Sequence, residues 1–325
     1  MKIGYIGLGK MGLGMVKLLL ENGHEVVATD PNEAARKEAE AAGAETVENL
    51  SDFDTKLSGE KFIWIMVPHN IVDDVLSDLS SILNPGDVIM DGGNSNYQET
   101  VRRGQELKSK GLVFMDVGVS GGPSGARNGA CMMIGGAREK FDKYEQLFKD
   151  LCIEGGYAYM GETGAGHYVK MVHNGIEYGM MQAIGEGFEI LKESRFDLDL
   201  QEVSRIYNTG SVIESRLVGW LENAYKEEGV ELTAISGEVS HSGEGQWTVA
   251  EAKNCVGKDG SSKNIPAPVI EASFQFRLDS TGNPSYTGQV VSALRNQFGG
   301  HSVKKKISLK LKFDINGFKF KSFFI

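Results

Sequence analysis

Lys170, His173, Asn174, Glu177 and Tyr178 place a base, an imidazole, an amide, an acid and a phenol within one short stretch. Their spacing is i, i+3, i+4, i+7 and i+8. In a helix, that spacing gathers all five on one face. A neutral amine there can take a proton from a hydroxyl group, and a protonated carboxyl can return one. The neighbours Val169, Met171, Val172, Ile176, Met180 and Met181 are apolar and are expected to bury the other sides of the helix. A solvent-facing helix would carry mixed long charges instead. The plainer alternative is a ladder of polar residues that satisfy one another between helices. Polar groups inside cores are few, which favours a catalytic face lining a cleft against another domain.

The chain before this segment alternates strands and helices. Residues 2–6 read as a buried strand that runs into Gly7-Leu8-Gly9-Lys10-Met11-Gly12 and then an apolar-periodic helix. G-x-G-x-x-G between strand and helix is a dinucleotide-binding turn: the glycines allow the tight bend, approach of a pyrophosphate and close packing of the helix. A second strand, 25–29, ends at Asp30, 18 residues after Gly12. A carboxylate there grips the ribose 2′-hydroxyl of NAD and repels the 2′-phosphate of NADP. No arginine follows directly, so NAD is the expected cofactor; the competing role for Asp30 is to cap the next helix. Strand 62–67 leads into Val67-Pro68-His69, at the carboxyl end of the sheet where ligands bind. Strand 87–90 leads into Asp91-Gly92-Gly93-Asn94-Ser95, where Asn94 can reach cofactor and substrate, although Ser95 or Asn96 also suits a helix cap. Strand 112–119 leads into Ser120-Gly121-Gly122-Pro123, whose backbone N–H groups can form a nest for a carboxylate or a plain turn. Strands at 131–135 and 157–160, with a helix over 141–151, complete the sheet. The fold class is α/β: a Rossmann-type doubly wound sheet over 1–163, followed by an all-helical domain over 164–301.

In the second half, Asp199 with Glu202, and Ser211 with Glu214, are capping pairs that start helices. Leu217 and Trp220 read as core. Gly243-Glu244-Gly245 opens another helix, 258–264 reads as a polar loop, and a helix after Pro266 and Pro268 carries Arg277. The last helix, 292–298, carries Arg295 and ends before His301. That pair can clamp a phosphate or form a solvated surface. Residues 302–325 hold seven lysines and one acid; they read as an extension with no assigned function.

The composition bounds the partners. The net charge of −10 disfavours nucleic acid, which needs a basic surface, but leaves room for a small anion in a locally positive cleft. No apolar run reaches membrane-spanning length, and the glycine-broken start is not expected to act as a signal peptide. Three cysteines without metal-ligand spacing fit a reduced, cytoplasmic protein, and no metal site is expected.

The segments Gly7–Gly12, Asp91–Ser95, Ser120–Pro123, Lys170–Gly179 and Arg295–His301 together resemble the 6-phosphogluconate dehydrogenase family, in its short, NAD-preferring, decarboxylating form. The likeness spans residues 1–301, and its most specific part is the Lys, His-Asn and Glu-Tyr helix. It implies oxidative decarboxylation of 6-phosphogluconate to ribulose 5-phosphate and CO2, with NAD as oxidant, in the pentose phosphate pathway. Lys170 would then be the general base and Glu177 the general acid, with Asn174 beside them. Asn94, Ser120, Gly121, Gly122, His173, Asn174 and Tyr178 would contact the sugar acid. Arg277, Arg295 and His301 would reach its phosphate; in the longer enzymes the last two come from a partner subunit, so a homodimer or homotetramer is expected. Where the longer enzymes read Lys-Gly-Thr-Gly-Lys-Trp-Thr, this chain has Ser242-Gly243-Glu244-Gly245-Gln246-Trp247-Thr248. Two lysines are replaced, and Glu244 adds a negative charge. The rival reading is a non-decarboxylating β-hydroxyacid dehydrogenase of the 3-hydroxyisobutyrate type; His173 and Glu177 favour the decarboxylating branch. A nucleotide-sensing module without turnover would have no need of a base and an acid on one face.

Overall fold

A computed structural model describes residues 1–300. The first half is built of β1 (Lys2–Ile6), α1 (Gly12–Glu21), β2 (Glu25–Thr29), α2 (Glu33–Ala41), β3 (Glu45–Thr46), α3 (Phe53–Lys56), β4 (Phe62–Ile65), α4 (Val72–Ser80) and β5 (Val88–Asp91). It continues with α5 (Tyr97–Ser109), β6 (Val113–Ser120), α6 (Gly122–Asn128), β7 (Ala130–Gly135), α7 (Arg138–Lys143), α8 (Glu145–Leu151) and β8 (Cys152–Gly161). The strands form one sheet in the order β3-β2-β1-β4-β5-β6-β7-β8. Pairing is parallel except between β6 and β7.

Alternation along the strands feeds two cores, one on each face of the sheet. Ile3, Tyr5, Phe62, Trp64, Val88 and Met90 join α1 and α8 on one side. Ile6, Ile63, Ile65 and Ile89 join Phe53, Leu76 and Leu107 on the other. A run such as Phe62-Ile63-Trp64-Ile65 is therefore buried on both faces, as a central parallel strand must be.

The second half contains α9 (Ala165–Lys192), α10 (Leu200–Tyr207), α11 (Arg216–Glu228), α12 (Glu244–Asn254), the short hairpin β9 (Cys255–Val256) with β10 (Ser262–Lys263), α13 (Pro268–Asp279) and α14 (Tyr286–Gly299). Leu217, Leu221, Tyr225, Val290 and Leu294 form its core against Met181 and Phe188 of α9. At 28 residues, α9 is about 42 Å long. Its first turns lie on β6 and β7, and its later turns pack against α12, α13 and α14. Buried Asp116 of β6 pins the start of α9 by accepting the N–H groups of Gly164 at 2.7 Å and His167 at 2.8 Å. That carboxylate does from another strand what an N-cap side chain does locally.

Several expectations need correcting. Ile176 and Met180 do not bury the far side of α9; they are 52% and 43% exposed and line the interdomain cleft. The cap of α11 is Ser215, which accepts the Val218 N–H, because Glu214 has turned back to the Gly210 N–H. α14 begins at Tyr286, before the expected 292, under a Ser285 cap. The stretch 258–264 is not all loop, since Ser262 and Lys263 pair with Val256 and Cys255. The helix expected over 141–151 is two helices that meet at Tyr144. Trp220 is half-buried at the cleft rim beside Phe298. His301 and residues 302–325 lie outside the described residues. Among the described residues, no helix is long and apolar enough to cross a membrane.

Candidate active site

A cleft of about 1400 Å³ opens between the sheet and the helices. Its sheet-side wall is made by the turns that follow β1, β4, β5 and β6, at the carboxyl ends of the strands, where an open α/β sheet offers a ligand site. Its other wall is α9, with contributions from α11, α12, α13 and α14.

The glycine turn fits a dinucleotide. A Cβ on Gly12 would overlap the carbonyl of Gly7, so the helix packs against the turn as closely as the motif requires. A Cβ on Gly9 would meet nothing within 4 Å, which leaves that backbone open to a phosphate. Asp30 follows β2 and braces the turn: its carboxylate accepts the N–H of Leu8 at 2.7 Å and that of Asn32 at 2.8 Å. The cap of α2 is Asn32 rather than Asp30. Arg36, which sequence reading passed over, donates to the Asp30 carbonyl at 2.7 Å and pairs with Glu48 at 3.3 Å. Val67, Pro68 and Asn94 line the same cleft with Gly9, Lys10, Met11 and Gly12; Gly7, Leu8 and Asp30 are not among the residues that line it. Lys10 donates to the carbonyl of Gly300 at 2.5 Å and so ties the glycine turn to the end of α14.

The five polar residues of α9 come together as their spacing requires. Lys170 Nζ lies 3.3 Å from His173 Nδ1, which lies 3.1 Å from Asn174 Oδ1 and 3.7 Å from Glu177 Oε2. Nε2 of the same ring is 3.2 Å from Ser120 Oγ. Strand periodicity explains that contact: Gly118 and Ser120 face the same way, toward α9. At Gly118 the Lys170 side chain lies directly on β6, because a Cβ there would come within 3.0 Å of Lys170 Cγ and nearer still to its Cβ. Buried Asp91 shapes the Asn94 turn by accepting from Gly93 N at 2.9 Å and from Ser95 Oγ at 2.8 Å.

Burial drives the electrostatics. It holds the Lys170 amine below the usual lysine range, against the pull of Glu177 and Glu244. It pushes Glu177 above the usual carboxylate range, against Lys170 and Arg277. It also lowers His173, and the charge of Lys170 adds to that. These are the directions a neutral base and a protonated acid require.

Arg277 on α13 and Arg295 on α14 reach the same cleft. Both are buried, and neither has an ion-pair partner among the described residues. The Arg277 guanidinium lies 3.3 Å from the centre of the Tyr178 ring, and burial lowers its pKa to about 10. Even without Lys170, the Lys10, Arg216, Arg277 and Arg295 side chains outnumber Glu177 and Glu244 in the lining, so the cleft suits an anion despite the acidic chain. Glu244, noted in the sequence only as an extra charge, is a buried wall residue. Ser215 and Trp220, both half-buried, line the cleft as well, and nothing in their spacing marks them for it.

Fold and cleft together define an oxidoreductase: a Rossmann-type NAD-binding domain closed by a helical domain that presents a lysine and a glutamate. Residues 2–161 match the NAD-binding domain of 6-phosphogluconate dehydrogenase, and residues 166–195 and 191–316 match the C-terminal domain of that enzyme. The chain is 48% identical over 306 residues to a Bacillus subtilis (strain 168) protein with the provisional name 6-phosphogluconate dehydrogenase, covering 94% of this chain and 100% of that one. It is 41% identical over 309 residues to the NAD(+)-dependent, decarboxylating 6-phosphogluconate dehydrogenase of Haloferax volcanii, covering 94% and 99%. Among solved structures, Plasmodium falciparum 6-phosphogluconate dehydrogenase superposes with a TM-score of 0.77 at 28% identity, over 87% of this chain and 62% of that longer one. The chain belongs to the 6-phosphogluconate dehydrogenase family.

Proposed function

We propose that the protein oxidises and decarboxylates 6-phosphogluconate to ribulose 5-phosphate and CO2, using NAD in preference to NADP. The observation that carries this reading is the pairing of Lys170 with Glu177 on one face of α9: burial favours the neutral amine and the protonated carboxyl. NAD, when bound, accepts the hydride from C3 of the sugar acid. Lys170 takes the proton of the C3 hydroxyl as that carbon becomes a ketone. The Lys170 ammonium then polarises the 3-keto oxygen while the C1–C2 bond breaks, CO2 leaves, and the electron pair collects in an enediol. Glu177, two helical turns along, protonates the carbon that lost CO2, giving ribulose 5-phosphate. His173, held between Lys170 and Ser120, orients the substrate together with Asn94, Asn174, Tyr178 and the Ser120-Gly121-Gly122 turn. Arg277 and Arg295 take the phosphate; two buried guanidinium groups without ion-pair partners among the described residues support that role.

An NADH absorbance assay with 6-phosphogluconate, gluconate and 3-hydroxyisobutyrate, with CO2 trapped in parallel, tests the reading. NADH and CO2 formed in equal amounts from 6-phosphogluconate are expected. NADH from 3-hydroxyisobutyrate without CO2 would favour the non-decarboxylating alternative.

The molecule also acts as a homodimer or homotetramer in this reading. Outside the cleft, Ile190 on α9 is 72% exposed and Val269 on α13 is 68% exposed. Such surface is what a second copy would cover. Sedimentation of an active monomer would count against it, and Ile190→Asp combined with Val269→Asp is expected to weaken the assembly.

A further inference from the structure

Glu244 is the first residue of α12, and it is 6% exposed in the wall of the cleft. Its Oε1 accepts a hydrogen bond from Asn94 Nδ2, across from the sheet side. Its Oε2 is buried and has no hydrogen-bond partner among the described residues. A desolvated carboxylate oxygen without a donor is costly, and such groups in native structures call for an explanation. Local stability does not supply one. α12 is already anchored by Thr248 Oγ1 to the Met171 carbonyl at 2.8 Å, by Tyr97 to Glu251 at 2.7 Å and by the Trp247 ring against His69. Nor does an ion pair, since Glu244 makes none with Arg277 or Arg295.

We infer that Glu244 is a specificity-determining residue that accepts a hydrogen bond from a substrate hydroxyl other than the one being oxidised. The inference rests on the proposed function and sharpens it, because it demands a polyhydroxylated acid. A substrate with a single hydroxyl would spend that group on Lys170 and leave Oε2 unserved. Asn94 fixes the carboxylate from one side, so the free oxygen is held in place before the substrate arrives. A carboxylate cannot donate, so a phosphate oxygen gains nothing from it. The phosphate therefore belongs at the two arginines, and the carbon chain runs past Glu244.

Glu244→Gln is the sharpest variant. Its amide oxygen can still accept from Asn94, while the free acceptor becomes an NH2 group. Titration calorimetry of 6-phosphogluconate, gluconate and inorganic phosphate against wild type and variant separates the possibilities. The expected result is a roughly five- to tenfold weaker Kd for both sugar acids, as an acceptor of charge-assisted hydrogen bonds is lost. Phosphate affinity should stay within about twofold, the acceptor lost being one phosphate does not use. Unchanged sugar-acid affinity would overturn the inference. So would a parallel loss for phosphate, which would mean that Glu244 acts by positioning the arginines and not through a sugar hydroxyl; a charge effect alone would tighten phosphate instead. Glu244→Ala, checked for folding by its thermal transition, should weaken the sugar acids further. If wild type binds gluconate but not 6-phosphogluconate, the proposed function falls, and the gluconate series still decides the role of Glu244.

Discussion

Lys170 Nζ stands 3.3 Å from Nδ1 of His173. The contact places a cation-forming group against a ring that burial already keeps from charging, and the charge of Lys170 lowers the ring further. Burial lowers Lys170 too, so both members of the pair are held toward their neutral forms, which is the state a proton-abstracting lysine needs.

The pH profile follows from that arrangement. Turnover needs Lys170 neutral and Glu177 protonated. Rate therefore falls toward low pH as the lysine gains a proton, and toward high pH as the glutamate loses one. The lowered lysine and the raised glutamate bring the two limbs toward neutrality from 10.5 and 4.5. Glu177→Gln should cut kcat by about 10²- to 10⁴-fold and abolish the alkaline limb while the acid limb remains. A pH–rate series on wild type and variant reads both effects; an alkaline limb that persists in the variant would remove Glu177 from the acid role.

Cofactor preference turns on Asp30. Its carboxylate is fixed by the N–H groups of Leu8 and Asn32 at the end of β2. Arg36, beside Asp30, is already engaged by the Asp30 carbonyl and Glu48. kcat/KM with NAD should exceed that with NADP, and Asp30→Ala should narrow the ratio by roughly tenfold or more. A wild-type enzyme faster with NADP would contradict the assignment.

Gly118 tests how tightly α9 must sit on β6. An added methyl would strike the base of Lys170, and neither strand nor helix can yield freely, because Asp116 ties Gly164 and His167 to the same strand. Gly118→Ala should lower kcat by about 10²-fold through misplacement of the amine, with NAD affinity little changed. Wild-type kcat in this variant would show that the fit between helix and strand does not set the chemistry.

Much of this was legible in the chain, and the reasons differ by element. The strands showed because central parallel strands are apolar on both faces, as Phe62-Ile63-Trp64-Ile65 is. The polar face of α9 showed because helical spacing converts directly into a shared face. The exposure of Ile176 and Met180 did not show, because an apolar residue reads as core until the neighbouring surface is known. The start of α14 was missed because Tyr286 to Val291 lacks strong periodicity, and the Ser285 cap alone does not signal a helix. Glu244 stood out only as a charge. That it is buried and bonded to Asn94 depends on two turns 150 residues apart meeting across the cleft, which no local pattern encodes.

The central claim is that Lys170 is the base. Lys170→Ala, measured by NADH absorbance, trapped CO2 and calorimetric NAD binding on one preparation, tests it most directly. The account predicts loss of both NADH and CO2 by at least about 10³-fold, with NAD affinity intact. Near-normal turnover in that variant would contradict it.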